Sequence, residues 1–369
     1  MVARVVVLGG GVAGTLVANR LSRRRDVAVT LVDNHGRHLY QPGQLYLAFN
    51  DRTIAHYERD EASLLRRNVA LRVARARSVD PDRRRVDFED GSSLDYDWLV
   101  VATGSRVFHE NVPGLKEHGL HFHCPNAAMK LKERLRAFTG GRIVVGAASL
   151  PYKCPPSAVE FALLLDEWCR ARSIRAQTDI VFTYPIDGVF PRPEVGDTIR
   201  RWFADRSIRV ETSFVPAGVE PSRLTAADGR TLDFTLLVMV PPHKAAPFLR
   251  DSALAGPSGF VPVDRHTLRA RDRVYAAGDS ADLPVPKSGA AAHFQAPVVA
   301  ANIAAELDGA APESRYDGRV GCFLEAGGGK AAWVSFDYDH PPAPPKLTRL
   351  TRLRKALFNT FYFQIIGRG

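Results

Sequence analysis

Two cysteines sit in settings that suit thiol chemistry. Cys154 lies in Pro151-Tyr152-Lys153-Cys154-Pro155-Pro156, after an apolar strand and before a helix expected to start near Pro156. A thiol there faces the positive end of the helix dipole, and Lys153 adds charge, so the sequence predicts a lowered pKa and a raised thiolate fraction. Glu160, in the first turns of that helix, is a candidate proton handler; a carboxylate meeting the dipole is the plainer role. Cys322 opens a strand in Gly321-Cys322-Phe323-Leu324-Glu325, followed by a Gly327-Gly328-Gly329 turn and an alternating run to Tyr338. This spacing predicts a β-hairpin, in which Cys322 alone suits packing as well as chemistry. Cys124 follows His121-Phe122-His123. Two histidines and one cysteine make a poor zinc set, so no metal is expected and a redox role stays open. Cys169, inside a helix expected over 157–170, reads as packing.

Redox thiols need an electron carrier, and the first thirty-odd residues offer a place for one. The apolar run Val5-Val6-Val7-Leu8 leads into Gly9-Gly10-Gly11-Val12-Ala13-Gly14, then a helical stretch, then a strand that ends in Asp33. Gly9 permits the tight turn, Gly11 lets backbone approach a pyrophosphate, and Gly14 lets the helix pack on the strand. Asp33 is placed for a ribose hydroxyl. A second strand, Trp98 to Val101, ends in the small turn Ala102-Thr103-Gly104. Further on, the strand Arg142 to Val145 is followed by Gly146 and then by Pro151, Pro155 and Pro156 around Cys154. Proline removes N–H donors and stiffens the backbone. A second nucleotide pyrophosphate is therefore not expected there.

The chain of 369 residues carries a net charge of +10 with 45% hydrophobic residues, which suits two domains with ample core. The basic residues are scattered up to the C-terminus and no nucleic-acid motif appears, so no nucleic-acid partner is expected. No apolar run has the length of a membrane span. The glycine loop at Gly9 leaves no room for a signal peptide, which predicts cytoplasmic exposure. Residues 54–66 carry a short helical pattern. After Pro341 to Pro345, Leu350, Leu353, Leu357, Phe361 and Tyr362 recur at helical spacing, while Lys346, Arg349, Arg352, Arg354 and Lys355 cover the other side. Residues 346–366 thus predict an interfacial helix on the membrane surface, with docking on the protein itself as the alternative.

The glycine loop and the Ala-Thr-Gly turn, with the strand and Gly278-Asp279 turn at 273–280, resemble the two-dinucleotide-binding-domain flavoproteins. The resemblance implies an α/β fold of two Rossmann-like domains. FAD would be held by Gly9, Gly11, Gly14, Asp33, Thr103, Gly104, Gly278 and Asp279. The Lys-Cys-Pro-Pro motif with Glu160, the Pro286-Lys287-Ser288-Gly289 segment with Gln295, and Cys322 before a hairpin narrow it. They are similar to sulfide:quinone oxidoreductases and the flavin subunit of flavocytochrome c sulfide dehydrogenases. That resemblance implies a redox pair of Cys154 and Cys322, with Glu160 and Lys287 as proton handlers and Lys287 and Gln295 beside the flavin. It implies oxidation of sulfide or a related sulfur donor to polysulfide or sulfane sulfur, with quinone as acceptor. The expected parts are 1–107 and 248–312 for the FAD domain, 108–247 for the second domain and 313–369 for the hairpin and tail. A peripheral membrane protein on the cytoplasmic face, with a possible homo-oligomer, fits this reading. Ala128 and Ile186-Asp187-Gly188 depart from the histidines that some members carry, which leaves the donor open. A type II NADH:quinone oxidoreductase and a flavin-bound redox-sensing or assembly subunit are the competing readings.

Overall fold

The computed structural model describes residues 2–250 and 252–369. Strand Ala3–Leu8 runs through a six-stranded sheet with Val5, Val6, Val7 and Leu8 all buried. A strand covered on both faces needs no polar alternation, which is why this stretch is a continuous apolar run. It pairs in parallel with Val27–Asp33 on one side and Trp98–Val101 on the other. Val69–Val73 extends the sheet beyond the first neighbour. Val274–Ala276 extends it beyond the second, and Arg269–Arg271 forms the antiparallel edge. The sheet therefore draws strands from both sides of a long insertion. Within that insertion a four-stranded parallel sheet runs in the order Arg209–Glu211, Thr178–Thr183, Gly141–Ala147 and Leu236–Val240. The chain passes between the two sheets twice, and the passages pair as an antiparallel ribbon, Ser105–Val107 against His243–Ala245.

Helix Pro156–Ala171 leaves the Gly141–Ala147 strand through the cysteine loop, and its Val159, Phe161, Ala162 and Leu165 are fully buried. The hairpin forms as expected from Val320–Glu325 and Ala331–Phe336, with Cys322 opposite Val334. Two local expectations fail. Residues 54–66 are not one helix: two 3-10 turns, Ile54–Tyr57 and Glu61–Leu64, flank strand Glu58–Asp60, which pairs with Arg37–Leu39. The local pattern lacks a continuous apolar face, so a tertiary strand pairing overrides it. The stretch from Arg209 forms only the short strand Arg209–Glu211, although Val210 to Val215 reads as a longer one, because Ser213 takes a left-handed backbone with φ of 51° and Pro216 begins a new hairpin.

The tail forms helix Arg349–Arg368, capped by the Thr348 hydroxyl accepting from the Thr351 N–H at 2.9 Å. Its two long stripes divide the work. Arg352, Lys355, Asn359, Tyr362 and Ile366 follow one another at spacings of three or four and face inward; Lys355, Tyr362 and Ile366 are buried. Tyr362 reaches His38 Nε2 at 2.9 Å. Leu350, Leu353, Leu357 and Phe361 form the other stripe and stay exposed, at 57%, 56%, 49% and 51%. The expectation that all five cations share one solvent-facing side is thus corrected. Lys355 is buried, and Arg352 turns to Glu325. The helix docks on its own protein and still presents an apolar row. Among the described residues no helix is long and apolar enough to cross a membrane.

Candidate active site

The glycine loop forms as the spacing demands. Gly9 has φ of +104°, and a Cβ there would stand 2.4 Å from the Ala102 carbonyl oxygen. A Cβ on Gly14 would stand 1.9 Å from the Gly9 oxygen, so only glycine lets helix Val12–Leu21 approach its strand. Above Gly11 the space is open: nothing lies within 4 Å of the Cβ position. Gly11 is the N-cap of the helix and no side chain caps it. An open, uncapped helix N-terminus beside a tight glycine turn fits a dinucleotide pyrophosphate. Asp33, placed in the sequence for a ribose, accepts from the N–H groups of Gly10 at 3.0 Å, His35 at 2.8 Å and Gly36 at 2.8 Å. It pins the glycine loop to the end of its own strand and keeps acceptor capacity for a hydroxyl.

The second part of this cradle gathers around residues 278–280. The Gln295 side chain accepts from the Gly278 N–H at 2.6 Å, and Ser280 Oγ accepts from the Gly104 N–H at 2.8 Å with Thr103 Oγ1 at 3.3 Å. Asp279 accepts from Ser105 Oγ at 2.8 Å and lies 3.7 Å from the Lys153 ammonium. The Lys287 ammonium donates to the carbonyls of Asp279 at 2.9 Å and Ala281 at 3.1 Å and lies 3.4 Å from the Phe260 ring centroid. Burial lowers its pKa, opposed by Asp279 and Asp282. Lys287 thus holds the aspartate turn through its ammonium and meets the cysteine site through its backbone.

That meeting joins the two cysteines. The Cys154 N–H donates to the Lys287 carbonyl at 2.8 Å, and the Cys154 carbonyl accepts from Ser157 at 2.8 Å. Cys154 sits in the left-handed region at φ of +58°, costly for a residue with a Cβ and held by these two bonds. Next in sequence to Lys287, Ser288 caps helix Gly289–Leu307 and lies beside the Cys322 thiol. Both cysteines therefore converge on residues 287–288. All four cysteines are free thiols. The expected lowering of the Cys154 pKa is corrected. Burial pushes it well above the ordinary value, and Cys322 and Glu160 add to the effect. Burial likewise pushes Cys322 up to about 12, with Glu160 adding. The helix dipole does not offset the loss of water around these thiols.

Glu160 anchors the next layer. It is 7% exposed, accepts from the Glu325 N–H at 2.8 Å and lies 3.6 Å from the Lys355 ammonium. Burial raises its pKa, opposed by Lys355. Burial also works against the Lys355 ammonium, but Glu160, Tyr46, Tyr40 and Glu325 outweigh it and hold its pKa well above the lysine value. The Glu325 side chain accepts from Tyr46 Oη at 2.8 Å and meets Arg352 at 3.5 Å. Tyr46, Glu325 and Arg352 also line a cavity of about 340 Å³ with Phe49 and Trp168. Lys355, Glu325 and Tyr46 escape a reading of the sequence. The signal for Lys355 is its spacing to Tyr362 and Ile366, masked by its charge.

Cys124 is the N-cap of helix Pro125–Arg136, next in sequence to His123, whose Nε2 meets Ser157 Oγ at 3.1 Å. Cys169 is fully buried. Among the described residues no three histidine, cysteine or carboxylate side chains are placed to hold a metal.

The family profile described as pyridine nucleotide-disulphide oxidoreductase matches residues 3–296. The chain is 25% identical to the mitochondrial sulfide:quinone oxidoreductase of Mus musculus, over 92% of this chain and 79% of that protein. It is 26% identical to the sulfide-quinone reductase of Aquifex aeolicus, over 96% of this chain and 87% of that one. The crystal structure of the Aquifex aeolicus sulfide:quinone oxidoreductase superposes with a TM-score of 0.89 at 23% identity, covering 99% of this chain and 91% of that chain.

The raised thiols carry a pH signature. A group that keeps its proton in the fold after the unfolded chain has released it stabilises the fold only below the unfolded pKa. The reduced protein is therefore expected to lose stability as pH rises from about 8.5, the ordinary cysteine value, towards about 12, where Cys322 titrates. Urea midpoints of reduced protein between about pH 8.5 and 10, below the range where the buried tyrosines add their own loss, measure it, and replacing Cys154 and Cys322 together by serine should shrink the slope there. An equal slope in the double variant would contradict the assignment.

Proposed function

The chain belongs to the pyridine nucleotide-disulphide oxidoreductase family, and from that premise we propose that it oxidises sulfide, or a related small sulfur donor, through Cys154 and Cys322. The observation that carries this reading is the convergence of the two cysteines on residues 287–288, beside a turn built to hold a dinucleotide. Prolines 151, 155 and 156 support it, since they stand where a second nucleotide loop would need free N–H groups. FAD is the cofactor that the family implies. The open N-terminus above Gly11, with Gly9, Gly14 and Asp33, would hold its pyrophosphate and ribose, and the turn of Gly278 and Asp279 with Thr103, Gly104 and Gln295 would hold the remainder. Bound there, FAD supplies a two-electron acceptor that restores the oxidised cysteine pair.

The chain's own residues perform the sulfur step. In the oxidised pair a hydrosulfide attacks the Cys154 sulfur. A new S–S bond forms on Cys154, the bond to Cys322 breaks, and its electron pair stays on the Cys322 sulfur. Glu160, whose proton affinity burial raises and whose charge acts on both thiols, takes or returns the proton. Lys355 keeps that carboxyl oriented from the tail helix. A second hydrosulfide attacks the outer sulfur of the Cys154 persulfide, which leaves as polysulfide and frees the Cys154 thiolate. The two thiols would be reoxidised to the pair by bound FAD, and the electrons would pass on to a quinone. The exposed row of Leu350, Leu353, Leu357 and Phe361 rests on the membrane surface, where a lipid-soluble acceptor is found.

Flavin bleaching tests the chemistry. Anaerobic sulfide should reduce the FAD of the wild-type protein rapidly, NADH should not, and Cys154→Ser should lower sulfide reduction by at least about 10³-fold, the scale of a lost nucleophile. Bleaching by NADH and not by sulfide would replace this reading with an NADH dehydrogenase. The membrane row is tested by point changes rather than truncation, because ending the chain after His340 removes Lys355 from Glu160 and so perturbs the fold. Leu353→Glu with Leu357→Glu is expected to release the protein from anionic liposomes without changing its melting temperature. Undiminished binding would contradict a membrane role for this face.

A further inference from the structure

Beside the cysteine loop stands a group of side chains that the sulfur step does not use. Four histidines pack in pairs, His109 with His121 at 5.1 Å between ring centroids and His123 with His243 at 5.0 Å. The group touches the cysteine loop directly. His123 Nε2 meets Ser157 Oγ at 3.1 Å, and the Ser157 N–H donates to the Cys154 carbonyl. Lys153, next to Cys154 in sequence, donates from its ammonium to the Ser105 carbonyl at 3.1 Å and lies 3.7 Å from the Asp279 carboxylate. Burial and then Lys153 push His243 down to about 3, and burial with its neighbours pushes His121 to about 4. Burial also carries His123 well below the ordinary value. These rings stay neutral at any working pH, so they donate and accept hydrogen bonds without carrying charge.

His243 is the telling member. It is 7% exposed, and neither ring nitrogen has a hydrogen-bond partner. The Pro241 carbonyl lies near enough to favour the protonated ring but outside hydrogen-bond geometry. Leaving a buried polar group unpaired costs about 1–3 kcal/mol. A metal does not explain it, since no metal-holding group exists among the described residues. A cation is opposed by Lys153, whose charge already lowers the proton affinity of the ring.

We propose that His243, with His123 and Lys153, forms a subsite for a small sulfur anion of hydrosulfide size on the approach to Cys154. The neutral imidazole offers an unused N–H, Lys153 supplies the opposite charge, and the Ser157 contact ties the subsite to the Cys154 loop. The assignment rests on the sulfur-donor reading above and names where the donor waits before it attacks.

The test uses the full chain loaded with FAD. His243→Phe keeps a ring in the packing and removes both nitrogens. It should raise KM for sulfide about tenfold, the worth of one hydrogen bond to a charged ligand, while kcat stays within about twofold. Flavin content and visible spectrum should not change. His243→Asn, which keeps an N–H, should recover part of the loss. Thiocyanate, a small sulfur anion, should compete with sulfide in the wild type and bind about tenfold more weakly to His243→Phe. Unchanged KM with unchanged thiocyanate inhibition overturns the proposal. So does loss of flavin from His243→Phe, which would assign the ring to the cofactor site. Sulfide that fails to bleach the wild-type flavin would overturn the sulfur-donor reading instead, and calorimetric thiocyanate binding would still decide the subsite. If His243→Phe does not fold, His243→Leu supplies the same comparison.

Discussion

The pairing of Glu160 with Lys355 organises the functional half of the molecule. Glu160 lies on the helix after the cysteine loop, Lys355 on the tail helix, and the Glu325 N–H that also binds Glu160 lies on the hairpin of Cys322. Three segments far apart in sequence thus meet at one carboxylate. A buried charge is tolerable only when paired and hydrogen-bonded, so each segment needs the other two. Removing one partner leaves the other uncompensated. The arrangement fixes the cysteine hairpin against the cysteine loop and seats the tail. It also sets the tail's second stripe outward, which gives the molecule an apolar face without lengthening any helix to membrane span.

Much of the frame was legible because its physics is local. The glycine loop must be glycine: at Gly9 the backbone conformation and at Gly14 the helix–strand approach exclude a Cβ. The buried strands of both sheets are short apolar runs, and Cys154 falls where strand gives way to helix. The hairpin around the triple glycine could be placed from its alternation and turn. What failed was decided by partners distant in sequence. Residues 58–60 pair with 37–39, which no local pattern announces. The Cys154 pKa follows its burial, with the charges of Cys322 and Glu160 adding and Lys355 opposing, rather than its own helix. The tail's two stripes were read as one amphipathic face because charge marks Arg352 and Lys355 as solvent residues. Only the counter-charges of Glu325 and Glu160 reverse that.

The same economy of position marks the second sheet. Its first strand ends where related folds would seat a nicotinamide nucleotide, and prolines there remove the donors such a ligand needs. The loop holds a cysteine instead, strained at φ of +58° and tied to residue 287. One face of this loop looks to Cys322, and the other to the histidine group through Ser157. The fold's own topology brings this thiol to residue 287, beside the Asp279 turn. The Asp279 turn is braced by Lys287, whose backbone holds Cys154.

In the proposed reaction Cys154 and Cys322 exchange electrons as a pair. Peptide mapping of the oxidised, FAD-loaded protein without reductant tests it most directly. The account predicts one linked species containing Cys154 and Cys322, directly or through added sulfur, that separates on reduction and declines when sulfide is added without air. Recovery of both cysteines as separate free thiols in the oxidised protein, or Cys154 linked to Cys124, would contradict it.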